Sequence, residues 1–352
     1  MNLIPFLRVI IRITYSEYLF VLVLFSLLFI FRFFVILNNR RYNRKEEYLA
    51  SIFLYVMEMK KKFSWKSVPV YLHDPHLMLA VLEDFDSKFS DYYWDHLKKE
   101  VLEKYLSVYS EKWKKSCFWS RRSFVARVYF LDSEKADPLV VGRFLQDKVP
   151  LIRMLAASLA AFIASPKLLH TLFKVMKKEP INGRYAYYDA ILNGDSRVFS
   201  YMKENIKTEK DLEIRSLYID LLSARFDSSL LDYIEDDLHS KNINLRLVAV
   251  RALLKFPTKE TEKKIIGFLK DPSAKIRVEI VKILPSLCGK LAIKKLTDTL
   301  NDEDWWVRFN SALALKKLGK AGKAVLEKQK DELTQAAVKY ALSLPDENKK
   351  VV

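Results

Sequence analysis

Glycine and cysteine are scarce in this 352-residue chain, at seven and two residues. So few glycines, with 11 prolines, leave little material for the positive-φ turns that join short strands, which argues against a β-sandwich or barrel. Cys117 and Cys288 stand far apart with no C-x-x-C, so the sequence supports neither a disulfide framework nor a cysteine zinc site, and reduced cytosol suits both thiols. The chain also lacks a P-loop, a GxGxxG, an HExxH and a GxSxG, the motifs that would announce nucleotide, zinc or acyl-transfer chemistry. His73 and His76 flank Asp74 in HDPH, but Pro75 interrupts the helix that would align them and no third ligand follows nearby. A loop or cap is expected there in place of a metal site. His96, His170 and His239 are isolated. No catalytic residue, cofactor or metal is expected, and the chain reads as a non-enzyme.

What is abundant is helix-forming and apolar. Half of the residues are hydrophobic, and the formal charge is +17, an excess that suits nucleic acid, anionic lipid or an acidic protein equally. The longest apolar run, Tyr18 to Leu37, is twenty residues interrupted only by Arg32. As a helix it covers roughly the 30 Å hydrocarbon core of a bilayer. No small-residue cleavage site follows it; the basic stretch NNRRYNRK does, as a stop-transfer flank would. Arg32 lies five residues from the end of the run, within snorkelling distance of the interface. Arg8 and Arg12 precede the span, whereas Arg40, Arg41, Arg44 and Lys45 follow it directly. The positive-inside rule therefore predicts a single-pass protein of the inner membrane with its C-terminal part in the cytoplasm. The expected segments are an interfacial stretch over 1–17, the span over 18–37, a basic flank and stalk helix over 38–63, and a helical N-terminal cap over 64–120.

Beyond the cap the sequence is periodic. Arg122, Arg153, Arg184, Arg215, Arg246, Arg277 and Arg308 follow one another at intervals of 31 residues without an insertion. The preceding position is apolar at Ile152, Ile214, Leu245, Ile276 and Val307 and departs at Gly183. Four residues after the arginine stand Ala126, Ala157, Tyr188, Ile219, Val250, Val281 and Ala312; seven after stand Tyr129, Ala160, Ile191, Leu222, Leu253, Leu284 and Leu315. Apolar positions at −1, +4 and +7 make one helical stripe. Stretches such as LLDYIEDDL, EKKIIGFL and IKKLTDTL supply a preceding helix, so each period is a helix pair. The fold expected is all-α: an N-terminal transmembrane helix, then a right-handed α-solenoid of about seven 31-residue helix pairs over 121–342, with a tail over 343–352. Trp65, Trp94, Trp113 and Trp119 with Tyr92, Tyr93, Tyr105 and Tyr109 are expected to close its N-terminal end.

Phe268 to Leu284, FLKDPSAKIRVEIVKIL, and Leu300 to Leu315, LNDEDWWVRFNSALAL, resemble HEAT repeats of the short bacterial kind first noted in phycobilisome lyases. The family pattern sets an Asp six residues before the Arg, matched by Asp147, Asp271 and Asp302 and replaced by Lys178, Glu209 and Ser240 elsewhere. The resemblance implies that the Asp lies in the turn between paired helices and that the Arg bridges toward a neighbouring repeat's turn, a structural ladder rather than a site of chemistry. Lys178, Pro180 and Gly183 weaken this pattern at the Arg184 repeat.

Between Arg246 and Lys295 lie thirteen lysines and arginines. Lys263, Lys264, Lys294 and Lys295, together with Trp305 and Trp306, are the candidate partner-binding residues. A solenoid offers an extended protein surface. The expected function is thus a membrane-anchored, cytoplasm-facing scaffold binding a membrane or membrane-proximal protein in a bacterial assembly, with anionic lipid as a further contact and nucleic acid disfavoured. Short bacterial HEAT arrays with one span resemble accessory proteins of envelope and polysaccharide machinery, including membrane glycosyltransferases. The alternative is a HEAT-type enzyme resembling bilin lyases or nucleic-acid-modifying proteins, which would need an acidic or His-lined pocket.

Overall fold

Outside its turns the chain is helical, and no strand occurs among the described residues. The computed structural model describes residues 4–225, 228–287 and 289–345. Cys288, the tail beyond Pro345 and the side chains of Arg8 and Arg12 lie outside them. The chain divides into two compact units, Met1–Leu159 and Ala160–Val352.

In the first unit, α1 (Ile4–Glu58) runs 55 residues without a break. Neither glycine nor proline interrupts it after Pro5, so nothing in the backbone forces an end between the expected interfacial, span and stalk segments. All three fall on one helix, which stops at Glu58 rather than Phe63. It is long and apolar enough to cross a membrane, and its large apolar side chains from Phe20 to Ile36 stand exposed. Its last turns are different: Leu49, Phe53, Val56 and Met57 are buried, so the same helix that is naked upstream belongs to the core downstream. α2 (Pro75–Asp86), α3 (Tyr92–Val101), α4 (Ser107–Trp113), α5 (Trp119–Leu131) and α6 (Pro138–Phe144) follow. A chain of rings ties α1, α4 and α5 together. Phe53 meets Phe63 at 5.7 Å, Trp65 meets Tyr105 at 5.0 Å, Tyr109 meets Trp113 at 5.1 Å, and Trp113 meets Phe124 at 4.9 Å. Trp94 is buried, whereas Tyr92 and Trp119 remain exposed.

α7 (Pro150–Ile163) spans the division between the units. The second unit continues with α8 (Pro166–Lys178), α9 (Ile181–Leu192), α10 (Arg197–Asn205), α11 (Leu212–Ala224), α12 (Leu231–Leu238) and α13 (Ile243–Leu253). It ends with α14 (Lys259–Gly267), α15 (Ala274–Leu287), α16 (Gly289–Thr299), α17 (Trp305–Lys317), α18 (Lys320–Glu327) and α19 (Glu332–Ser343). Each odd-numbered helix from α5 to α17 carries one of the periodic arginines, and each even-numbered one precedes it in the pair.

The stripe explains the packing. Ile214, Ile219 and Leu222 on α11, Leu245, Val250 and Leu253 on α13, Ile276, Val281 and Leu284 on α15, and Val307, Ala312 and Leu315 on α17 are all buried, each larger side chain contributing roughly 1.5–3 kcal/mol on burial. The Arg184 repeat departs as its sequence does: Tyr187 is buried, and Tyr188 is half-buried with its hydroxyl donating to Asp220 at 2.6 Å. Side chains four residues before the arginine start these helices. Asp211, Asn242 and Asp304 each accept two backbone N–H bonds in the first turn, neutralising donors a helix leaves open. Close approach at one pair needs glycine. A β-carbon at Gly322 of α18 would lie 1.9 Å from the carbonyl oxygen of Leu315 on α17.

Candidate interaction groove and the arginine turns

The periodic arginines stand in the first turn of their helices and reach back with their side chains to the turns that enter them. Arg277 donates from Nη1 to the Asp271 carbonyl at 2.8 Å, in its own turn, and from Nε and Nη2 to the two carboxylate oxygens of Asp302 at 2.9 and 2.8 Å, in the next one. Arg122 does the same with the Ser116 carbonyl at 3.0 Å and both oxygens of Asp147, and Arg246 with the Ser240 carbonyl and both oxygens of Asp271. One side chain thus satisfies a carbonyl of its own repeat and a carboxylate 25 residues ahead. The paired geometry is the strong bidentate form. Asp147, Asp271 and Asp302 each also accept the N–H two residues onward, from Val149, Ser273 and Asp304. They brace the turn, and the helix cap itself is a different residue.

Where the residue 25 positions ahead is not an Asp, the contacts change. Arg153 and Arg184 donate to turn carbonyls, the first to Asp147 and Lys148, the second to Glu179 and Lys177. Arg215 finds the carboxylate of Asp237 at 2.9 Å, three residues before Ser240, a partner the six-residue spacing does not reveal. Arg308 bonds the Asp302 and Glu303 carbonyls; 25 residues ahead stands Leu333, and its buried Nε has no hydrogen-bond partner among the described residues.

Electrostatics separates two of these acids. Burial pushes the Asp147 carboxyl upward, but the hydrogen bonds from Arg122 and the Val149 N–H outweigh it, so its pKa lies below the ordinary value. At Asp237 burial prevails over the attraction of Arg215, and the pKa is raised. Arg122 and Arg277 are held more firmly protonated by their partner carboxylates.

HDPH serves the backbone. Asp74 caps α2 by accepting from the N–H groups of His76 and Leu77, His73 lies 3.2 Å from the Val68 carbonyl, and His76 stacks on Trp113.

The site with binding geometry is a groove of about 910 Å³ on the second unit, walled by α13, α15 and α17. Asn244, Lys275 and Trp306 line it from equivalent positions two residues before each arginine, and Arg251 and Lys282 from equivalent positions five after. Trp306 is 61 % exposed, with its ring set edge-on against Trp305 at 4.8 Å. Trp305 instead stacks on Phe309 at 5.0 Å. Of the six candidate partner-binding residues only Trp306 lines the groove, joined there by Arg251, Lys275 and Lys282 of the basic stretch between Arg246 and Lys295. Lys263 and Lys264 sit on α14 and Lys294 and Lys295 on α16, the other helix of each pair, and Lys264 is held by Glu235 at 2.8 Å. Lys241, Asn244 and Asn310 line the groove unanticipated. Reading down the column two before each arginine would have found Asn244, where an exposed position recurs beside the buried stripe.

Residues 228–316 and 262–343 match the family model described as HEAT repeats. This part of the chain carries HEAT repeats. The groove therefore lies wholly within its HEAT region. The chain is also similar to two solved structures. Human deoxyhypusine hydroxylase in complex with glycerol is 16% identical, with 70% of this chain and 97% of that chain covered and a TM-score of 0.27. The Escherichia coli protein YibA is 16% identical, with 73% and 99% covered and a TM-score of 0.35. No curated protein sequence matches.

Proposed function

We propose that this protein is a single-pass, membrane-anchored scaffold whose HEAT groove holds a segment of a protein partner at the cytoplasmic face of a bacterial membrane, as a subunit or adaptor of a membrane assembly. The observation that carries the reading is Trp306, a large exposed aromatic braced by a second tryptophan on the wall of an open groove. Such residues are the usual anchors of protein interfaces. The anchor follows from the bare apolar helix: a row of exposed leucines and phenylalanines from Phe20 to Ile36 calls for lipid around it. The exposed Arg40, Arg41, Arg44 and Lys45 lie just beyond, where cytoplasmic flanks carry their positive charge and anionic headgroups are in reach. Tethering confines the groove to a thin layer and raises the effective concentration of a membrane-proximal partner.

A photo-crosslinking residue at position 306, compared with one at Lys263, tests the groove in cells. Position 306 is expected to yield one recurrent adduct, identified by mass spectrometry as a membrane or membrane-proximal protein, and position 263 is not. Absence of an adduct at 306 would overturn the reading. Orientation is tested on Cys117, an exposed free thiol, in a Cys288→Ser background. A membrane-impermeant maleimide should label it only after the cells are opened, and labelling of intact spheroplasts would place the repeats outside.

A further inference from the structure

Resting on the reading of the groove as a partner site, we propose that its occupant is an acidic, extended segment with a carboxylate side chain and an apolar side chain three residues apart. The groove is built on a repeat. Asn244, Lys275 and Trp306 come from α13, α15 and α17, the arginine-bearing helices of three successive pairs, at one register position, and so meet a crossing chain in order. Packed helices lie about 8–10 Å apart. A polyproline-II segment turns once every three residues and rises about 3.1 Å per residue, so side chains i and i+3 share a face about 9 Å apart. A carboxylate at Lys275 thus sets the side chain three residues away on Trp306.

The charges favour an acid. Arg251 is committed to Glu279 at 2.6 Å, and the Asp304 carboxylate caps α17. Lys241, Lys275 and Lys282 are exposed and have no described hydrogen bond or ion pair, which leaves the groove with three uncommitted cations. The Asn244 side chain, exposed beside them, offers both a donor and an acceptor to a passing peptide backbone. Nucleic acid fits less well. The groove wall presents one exposed ring rather than the series on which bases stack.

The test is fluorescence anisotropy with the full-length protein in detergent and short labelled peptides containing Asp-Pro-Pro-Leu. The comparison probes are a peptide with Asp and Leu adjacent, one with Lys in place of Asp, and oligothymidine of matched length. The Asp-Pro-Pro-Leu peptide is expected to bind about 10-fold more tightly than any of the three, a difference of about 1.4 kcal/mol. Lys275→Glu with Lys282→Glu should abolish that preference and transfer it to the Lys peptide, while Trp306→Ala should weaken both. The inference is overturned if charge reversal leaves the acidic peptide's affinity unchanged, or if oligothymidine binds more tightly than the peptide. An adduct at position 306 with no peptide preference would sink the inference alone; absence of both would sink the scaffold reading as well.

Discussion

The guanidinium of Arg277 grips the carboxylate of Asp302 with two nitrogens, at 2.9 and 2.8 Å, across 25 residues of sequence. With Arg277 only 5 % exposed, that pair is a buried bidentate link between the entry turns of consecutive helix pairs. Four outcomes follow from this turn chemistry and from backbone geometry at Gly322 and Lys60.

Arg277→Ala removes the cation and strands a partly buried carboxylate together with the Asp271 carbonyl. The expected loss is about 3 kcal/mol, since breaking a buried pair costs more than the pair contributes. Arg277→Lys should recover part of it, because an ammonium cannot reproduce the fork. Thermal unfolding of the solubilised protein measures both; equal melting of wild type and Ala variant would contradict the assignment.

Asp147 and Asp237 should respond oppositely to acid. The folded-state pKa of Asp147 is depressed, so its contribution is present above the unfolded value and lost as pH falls through the folded one. Asp147→Asn should therefore lower stability at pH 7 and flatten the loss on the acid side. For Asp237 the folded pKa is raised. Its charged form is disfavoured by burial, and lowering the pH toward its folded value relieves that cost. Asp237→Asn should destabilise less at pH 7 than Asp147→Asn, as read by unfolding across pH 3 to 7.

Gly322→Ala places a methyl group against the Leu315 carbonyl at a distance no backbone tolerates. The α17–α18 contact must open, at a cost of about 2 kcal/mol. A melting temperature equal to that of wild type would show that the two helices do not approach so closely.

Lys60→Gly should do the reverse. Lys60 has φ +53°, and the Lys60 and Lys61 N–H groups return to the Met57 and Val56 carbonyls at 3.0 Å, the bond pattern of a helix end that favours glycine. Because the lysine is exposed, removing its left-handed strain should raise stability by about 1 kcal/mol. A drop in melting temperature would mean that the side chain makes a contact worth more than the strain.

How much of this was legible in advance depends on range along the chain. The apolar stripe at Leu245, Val250 and Leu253 is written in the sequence because one helix repeats every 3.6 residues and buries one face. Likewise the 31-residue return of arginine declares a stack of identical pairs. The lysines at 263, 264, 294 and 295 lie on α14 and α16, away from the groove wall, because abundance along the chain says nothing about which helix of a pair faces the groove.

By itself the sequence determined the helix pairs, their register, the buried stripe and the long apolar helix, since each follows from local periodicity and hydrophobic length. Only the tertiary structure decided that Asp237 serves Arg215, that the buried Nε of Arg308 has no hydrogen-bond partner among the described residues, and that Asn244, Lys275 and Trp306 share one wall. Asp237 is 22 positions from Arg215, and Asn244 is 31 and 62 positions from Lys275 and Trp306. Those relations depend on how neighbouring helices stack, and the geometry of stacking is set by side-chain packing between helices rather than by the pattern within any one of them.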